Sequence, residues 1–265
     1  MRYVKIGLLV CLLALCVLGA DLSRMQTLLL SIASGDESLA NLESFGSQAE
    51  LDALRAAPPE QIQPLLAPAQ QCLHSPKRPI RAIGVSLFMG VVLARRGMDT
   101  AKLLDDYIDD VAALLDDPDE GLRNGTVFVL GSLFPKPPAK VLAYFEAHLN
   151  DKANSDQAAG GMGDALLRSG NASFVPEVLR LAEQRPRIKG NILQRLGINH
   201  ITTDEALKFL HSAFQDPTLY QDAVDAVGRL PRDARKGFAQ DLAHVMEDPD
   251  TDPRVVESAR QALTQ

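Results

Sequence analysis

The sequence LLDDPDEGLRNGTVFVLGSL, at residues 114–133, decides the fold because it contains one copy of a repeating pattern. In its first half an Asp-Pro-Asp turn interrupts an apolar run, and proline lacks a backbone donor and disfavours helix in the residue before it. In its second half a glycine stands among apolar residues. Glycines in the same setting recur at steps of 32, 34 and 31 residues, at Gly131, Gly163, Gly197 and Gly228. The sequence therefore predicts a repeated helix–turn–helix unit of about 31 to 34 residues.

The helix-to-helix turns can be placed by the same reasoning. Proline or a polar cluster breaks the helical pattern near Ser75, Asp117, Asp151, Arg185, Asp216 and Asp248. The third of these turns, at residues 150–154, has no proline. We therefore predict six helical hairpins between Pro59 and Gln265.

The segment from Thr100 to Asp116 shows why such hairpins must stack. Its apolar residues recur at steps of three and four, which predicts one helix with one wet face: Leu104, Tyr107, Ile108, Val111, Leu114 and Leu115. The helix after the turn is apolar around much more of its circumference, and one hairpin cannot cover that surface alone. Leu and Ala are abundant, Trp is absent, and no useful stretch alternates apolar with polar residues. The predicted fold is all-α, a right-handed α-solenoid (superhelix) of about six antiparallel helix hairpins.

The recurring glycines have a physical explanation in this fold. A missing side chain lets two helix backbones approach closely, although glycine costs about 1 kcal/mol relative to alanine inside a helix. Four such positions predict close contact at each site, or helix termination at some of them.

These residues resemble the HEAT and HEAT-like (PBS-lyase-type) repeat family, in which an Asp-Pro turn precedes an apolar-Arg pair. In two units the acid and the arginine are six residues apart: Asp117 and Arg123, and Asp248 and Arg254. The resemblance implies that these four residues form a ladder of contacts along the turns. Arg81 keeps the spacing after Ser75 but has no acid there, and around Arg185 and Asp216 the pattern is absent.

Three regions are predicted along the chain. Residues 1–20 have the layout of a secretory signal peptide, with Arg2 and Lys5 before an uncharged run from Ile6 to Ala20. The run is short for a membrane anchor, and Leu15 before Cys16 fits a lipoprotein signal badly, so an uncleaved or lipid anchor is the secondary alternative. Residues 21–58 are predicted to be an irregular helical N-terminal cap with a helix stop at Gly35, and residues 59–265 the HEAT-like repeat domain. The last helix of that domain is predicted to be apolar on one side, at Val255, Val256, Ala259 and Leu263.

Net charge limits the partners of the chain, and cysteine content limits its covalent cross-links. Removal of Arg2 and Lys5 with the signal changes the net charge from −7 to −9, which argues against nucleic acid and anionic lipid surfaces. Cys72 is the only cysteine after residue 20, so no internal disulfide can form, and it is predicted to be a small buried apolar residue.

The sequence predicts no catalytic, cofactor or metal site. There is no Gly-x-Ser-x-Gly elbow. The histidines fall in different repeats near helix ends, at His74, His148, His200, His211 and His244. The acidic turns at residues 117–121 and 248–252 imitate calcium loops but lack the closing glutamate, so they are predicted to be turn and cap acids.

The densest charge feature is an acidic cluster that includes Asp105, Asp106, Asp109 and Asp110. It is either a docking patch for a basic partner or a solvated helix face, and the second interpretation is the simpler one. The predicted function is that of an exported, non-catalytic protein–protein interaction scaffold in a periplasmic or extracellular space. The alternatives are an enzyme or accessory subunit of the HEAT-like lyase type, which rests on family analogy, and a purely structural role in an envelope assembly.

Overall fold

The computed structural model describes residues 22–36, 47–95, 100–133 and 136–264. Within these ranges the regular structure is helical and no strand occurs, so the all-α prediction is confirmed. The predicted signal peptide at residues 1–20 lies outside the described residues. Among the described helices, none is both long enough and apolar enough to span a bilayer.

The first half of the chain begins with a helix, α1, at residues 22–33. The helices that follow are α2 (Gln48–Ala56), α3 (Pro59–Leu73), α4 (Arg78–Ala94), α5 (Thr100–Leu104), α6 (Ile108–Ala112), α7 (Glu120–Gly131) and α8 (Ala139–His148).

The second half continues with α9 (Asp156–Arg168), α10 (Val175–Gln184), α11 (Pro186–Ile198), α12 (Asp204–Ala213), α13 (Tyr220–Arg229), α14 (Arg232–Arg235), α15 (Ala239–Glu247) and α16 (Pro253–Thr264). Short 3₁₀ segments precede α10 and α13 and lie between α14 and α15.

The chain divides into two compact units, Met1–Val141 and Leu142–Gln265. In the first unit α3 packs against α4, and the second helices of successive hairpins lie side by side, with α4 between α2 and α7. In the second unit the corresponding row is α9, α11, α13 and α16, while α10 contacts α12 on the first-helix side. All six predicted turns lie between two helices, which confirms the hairpins. A superhelical progression along the whole chain and the predicted domain limits stay predictions.

Residues 100–116 differ from the single helix predicted for them. The apolar positions Leu104, Tyr107, Ile108 and Val111 are buried as expected. However, 3₁₀ turns at Asp105–Tyr107 and Ala113–Asp116 interrupt the α-helix. A 3₁₀ turn has fewer residues per turn than an α-helix, so it shifts the apolar stripe around the axis. The apolar spacing could not report this interruption, because steps of three occur in both helix types.

The recurring glycines are not equivalent. A Cβ at Gly197 would lie 2.5 Å from the carbonyl oxygen and 2.6 Å from the Cα of Ala226, so α11 and α13 approach backbone to backbone. At Gly163 the nearest atoms are side-chain methyls of Val178 and Ile192, at 3.2 and 3.3 Å. At Gly228 the nearest atom is 3.8 Å away. The prediction of close contact is therefore confirmed at Gly197. At Gly228 a methyl group would fit, and α13 ends one residue later at Arg229, so this glycine follows the alternative prediction, helix termination.

Two terminal features can be compared with their predictions. Helix α1 ends just before Gly35, whose φ of +110° is readily available only to glycine, so the predicted stop is confirmed. In α16 the predicted apolar side was Val255, Val256, Ala259 and Leu263. Leu263 is 41% exposed, and Ala262 is buried in its place. The buried side of α16 includes Ala262 because that residue faces Gly228 of α13.

Candidate functional site

Arg81 makes the most buried ion pair between turns in the first unit. Its Nε donates to Asp117 Oδ2 at 2.7 Å and its Nη2 to Asp117 Oδ1 at 3.2 Å, and the two side chains are only 13% and 4% exposed. Arg81 also donates to the carbonyl oxygens of Ser75 and Pro76 in its own turn. Arg81 has no acid in its own turn, and its acidic partner is therefore Asp117 in the next turn along the chain, 36 residues away.

Arg123 repeats half of this arrangement. It donates to the carbonyl oxygens of Asp117 and Pro118, six and five residues earlier, as Arg81 does in its turn. The six-residue spacing thus places a guanidinium under the carbonyls of its own turn, while the Asp117 carboxylate receives Arg81. Asp117 also accepts the N–H of Asp119, and Asp119 accepts that of Leu122 at the start of α7. A hydrogen bond from Arg78 lowers the pKa of Asp119 and keeps this capping carboxylate charged.

Two turns of the second unit also differ from expectation, one predicted to lack the pattern and one predicted to keep it. Arg185 reaches back to the preceding turn, where it donates to the carbonyls of Asn154 and Asp151, so an inter-turn contact exists where none was predicted. Arg254 pairs with Asp252 instead of Asp248, at 2.9 Å. Asp248 accepts the N–H of Asp250, which is the contact of a turn acid. The six-residue rule does not extend to this last turn because Asp252, two residues away, is a nearer acceptor.

Half of the acidic patch is engaged within the first unit. Asp109 pairs with Lys140, and Asp110 is contacted by Gln70 and by His74, whose Nε2 lies 2.8 Å from it. Asp105 and Asp106 are exposed. The Lys140 ammonium group makes the patch less negative than its sequence suggests, and its role as a docking patch stays a prediction.

The histidines lie near helix ends and contact polar groups of nearby turns and helices. His148 Nδ1 lies 2.8 Å from Asp151, and His211 Nδ1 lies 2.7 Å from Asp241. The Nδ1 of His200 contacts the carbonyl oxygen of Arg229, and His244 contacts the hydroxyl of Tyr220.

Cys72 is buried, as predicted, and its burial raises the pKa of the thiol to about 11.

The second unit presents a polar face along its row of second helices. On α11 the polar positions recur at helical spacing, and the same holds on α9 and α13. We define the polar face by six residues that are partly or fully exposed: Asp164, Arg168, Asn191, Gln194, Arg195 and Asp222.

Side-chain contacts join this face across three helices. Arg195 of α11 lies 2.8 Å from Asp164 of α9, which also pairs with Arg168. On its other side α11 donates from Gln194 to Asp222 of α13 at 2.6 Å. A Cβ at Gly190 would lie 2.1 Å from the same carboxylate, so the glycine makes room for Asp222 between the helices. The network holds the polar side chains in fixed positions, which reduces the entropy lost when a partner binds.

Sequence reasoning missed the polar face. The signal was present as the i, i+4, i+8 spacing of Arg187, Asn191 and Arg195 on one side of α11. Spacing along one helix does not reveal that α9 and α13 place their own polar residues beside it, so the sequence alone did not predict a shared face.

Helical hairpins whose second helices lie side by side define an all-helical repeat protein. No family model matches the sequence, and no curated protein matches it. Among solved structures, it is similar to a designed armadillo repeat protein in complex with the peptide (KR)4, at 15% identity over 90% of this chain and 98% of that one, with a TM-score of 0.47. A computationally designed armadillo repeat protein for modular peptide recognition matches at 14% identity over 90% and 98% of the two chains, with a TM-score of 0.44.

Proposed function

We propose that this chain is a HEAT-like, non-catalytic scaffold that binds another protein through the polar face of its second unit. The observation that supports this most directly is the side-chain network joining Asp164, Arg195, Gln194 and Asp222 across α9, α11 and α13. The face alternates carboxylates, guanidinium groups and amides, so it offers both donors and acceptors. Such a mixture suits a polypeptide, which also carries both, better than a polyanion such as nucleic acid.

The experiment uses the chain from Asp21 to Gln265 as bait in extracts of its own compartment. Once a partner is captured, Asn191→Arg is compared with the parent chain, because Asn191 is exposed near the centre of the polar face. A long charged side chain there is expected to weaken binding by about tenfold or more. Gln184→Arg on α10 is the matched control, since Gln184 is exposed on a first helix and the change in charge is the same.

The two variants separate the possible outcomes. Equal loss of binding in both, or no loss in Asn191→Arg, would exclude the polar face as the docking surface. Recovery of no partner under any condition, together with a measured turnover, would overturn the scaffold function itself and favour the enzyme alternative.

Export is a further part of the proposal. It is supported by the order of charges and apolar residues in residues 1–21. We place the mature protein in the periplasm or outside the cell, without a cofactor. Cell fractionation of the full chain tests this, and recovery with the cytosolic markers would contradict it.

A further inference from the structure

A pocket of about 280 Å³ lies in the second unit, between the loop after α9 and the loop after α11. Its walls combine apolar and polar groups. Leu167 and Val175 are buried, whereas Asn171, His200 and Thr202 are exposed. The pocket is separate from the polar face, and none of the sequence motifs pointed to it.

His200 occupies a backbone position at which glycine is the usual residue. Its φ is +52°, and among the described residues it is the one non-glycine with a positive φ. The N–H of His200 donates to the carbonyl of Gly197, and that of Ile201 donates to Leu196, which is the Schellman pattern at a helix C-terminus. One hairpin earlier the same position after α9 is Gly170, with a φ of +75°. A histidine therefore stands where the preceding repeat has glycine, and both residues line the pocket.

The contacts of His200 determine which ring nitrogen can accept a hydrogen bond. Its Nδ1 lies 2.8 Å from the carbonyl oxygen of Arg229, and a carbonyl can only accept, so in the neutral ring the proton is on Nδ1. The Nε2 of the same ring then carries a lone pair. The side chain of Asn199 likewise has one donor in use and one acceptor atom. Its Nδ2 donates to the Arg195 carbonyl oxygen, and its Oδ1 is an acceptor. Both residues line the pocket, so each brings one acceptor atom to it.

Two acidic residues adjoin the pocket along the chain. Asp204 and Glu205 directly follow the lining residue Thr203, and both are exposed. Residues 142–265 as a whole carry more acidic than basic side chains. A ligand with an apolar stem and a cationic head that donates hydrogen bonds complements this combination of apolar wall, acceptors and acids. Among protein side chains arginine fits best, because its planar guanidinium has five donors and also stacks on flat rings such as imidazole.

We infer that this pocket binds an arginine side chain of a partner protein, with His200 Nε2 and Asn199 Oδ1 as hydrogen-bond acceptors. The inference does not depend on the polar face, and its test uses a small probe instead of the unidentified partner. Failure of the probe experiment would therefore leave the docking proposal intact, and the converse also holds.

The test is a chemical-shift titration of the chain from Asp21 to Gln265 with N-acetyl-arginine methylamide. We expect saturable shifts at residues 170–172 and 199–203. N-acetyl-citrulline methylamide has nearly the same shape without the charge, and it is expected to bind about tenfold more weakly.

Two variants separate ligand binding from a structural role of the histidine. His200→Asn keeps a residue that tolerates positive φ but removes the imidazole. The variant is expected to bind the arginine probe about tenfold more weakly, while the rest of its spectrum is unchanged. His211→Asn makes the same chemical change at a histidine that does not line the pocket, and it is expected to leave the affinity as it was. Absence of saturable shifts at the pocket, equal binding of citrulline, or full affinity in His200→Asn would each overturn the inference.

Discussion

At the scale of single residues, Arg81 shows how a turn is tied to the next one. Its guanidinium donates to four oxygen atoms at once: the carbonyls of Ser75 and Pro76 in its own turn and both carboxylate oxygens of Asp117. A nearly buried carboxylate that loses such a partner retains its desolvation penalty without compensation. The pair therefore matters more to the fold than the exposed ion pairs of the chain.

Arg81→Met is expected to lower the free energy of unfolding by about 3 kcal/mol, since it leaves Asp117 buried without its cation. Urea denaturation monitored by circular dichroism measures the change. Arg78→Met is the control: Arg78 pairs with Asp119 in the same turn, but its side chain is 58% exposed, so a clearly smaller loss is expected than in Arg81→Met. Equal losses in the two variants would show that burial does not set the energy of these pairs.

Cys72 leads to a prediction about alkaline pH. An unfolded thiol has a pKa of about 8.5, and burial raises that of Cys72 to about 11. Because the folded state holds this proton more tightly, its stabilising contribution is complete below the unfolded pKa and is lost as pH rises through the folded one. Stability is therefore expected to fall between about pH 8.5 and pH 11, and less steeply in Cys72→Ala. Tyr107 and Tyr220 remain in both proteins, so equal slopes would contradict the assignment to Cys72.

At the scale of helices, the close approach of α11 and α13 depends on Gly197. The backbone of Ala226 occupies the place of a side chain there, and backbone atoms cannot move aside without displacing a whole helix. The recurring glycine at position 197 thus marks a close contact between two successive hairpins, although the same motif at Gly228 leaves room.

Gly197→Ala is expected to destabilise the protein by about 1 to 3 kcal/mol, the usual range for overpacking. Gly228→Ala is the matched control, and it is expected to be neutral or to stabilise by up to about 1 kcal/mol because alanine favours helix. Thermal unfolding of the two variants gives the comparison. A Gly197→Ala protein as stable as the parent would mean that α11 and α13 separate easily.

At the scale of the whole molecule, the proposed export predicts a defined mature chain. Expression of the full sequence in its own host is expected to yield a protein that begins at Asp21, with two fewer positive charges than the precursor. Intact-mass measurement of the exported fraction tests this. An intact N-terminus at Met1 in that fraction would favour the uncleaved anchor instead.

Much of the fold follows from the sequence alone. Periodicity, proline and glycine report neighbours a few residues away, and they predicted the all-helical class, the six turns, the buried sides of α5 to α7 and the stop at Gly35. The 3₁₀ turns within residues 100–116 were not among these predictions. The burial of Cys72 follows in the same way from its place in an apolar helical stretch.

Only the tertiary structure decided which distant groups meet. Asp117 pairs with Arg81 of the preceding turn, Gly197 contacts the backbone of Ala226, and Gln194 meets Asp222. His200 became a candidate ligand-binding residue only when its positive φ and its place in a pocket were known. These partners lie about one repeat apart along the chain, and the rotation and offset of each hairpin on the next, set by side-chain packing, select them. A periodic pattern fixes what each helix buries, but it does not fix that rotation.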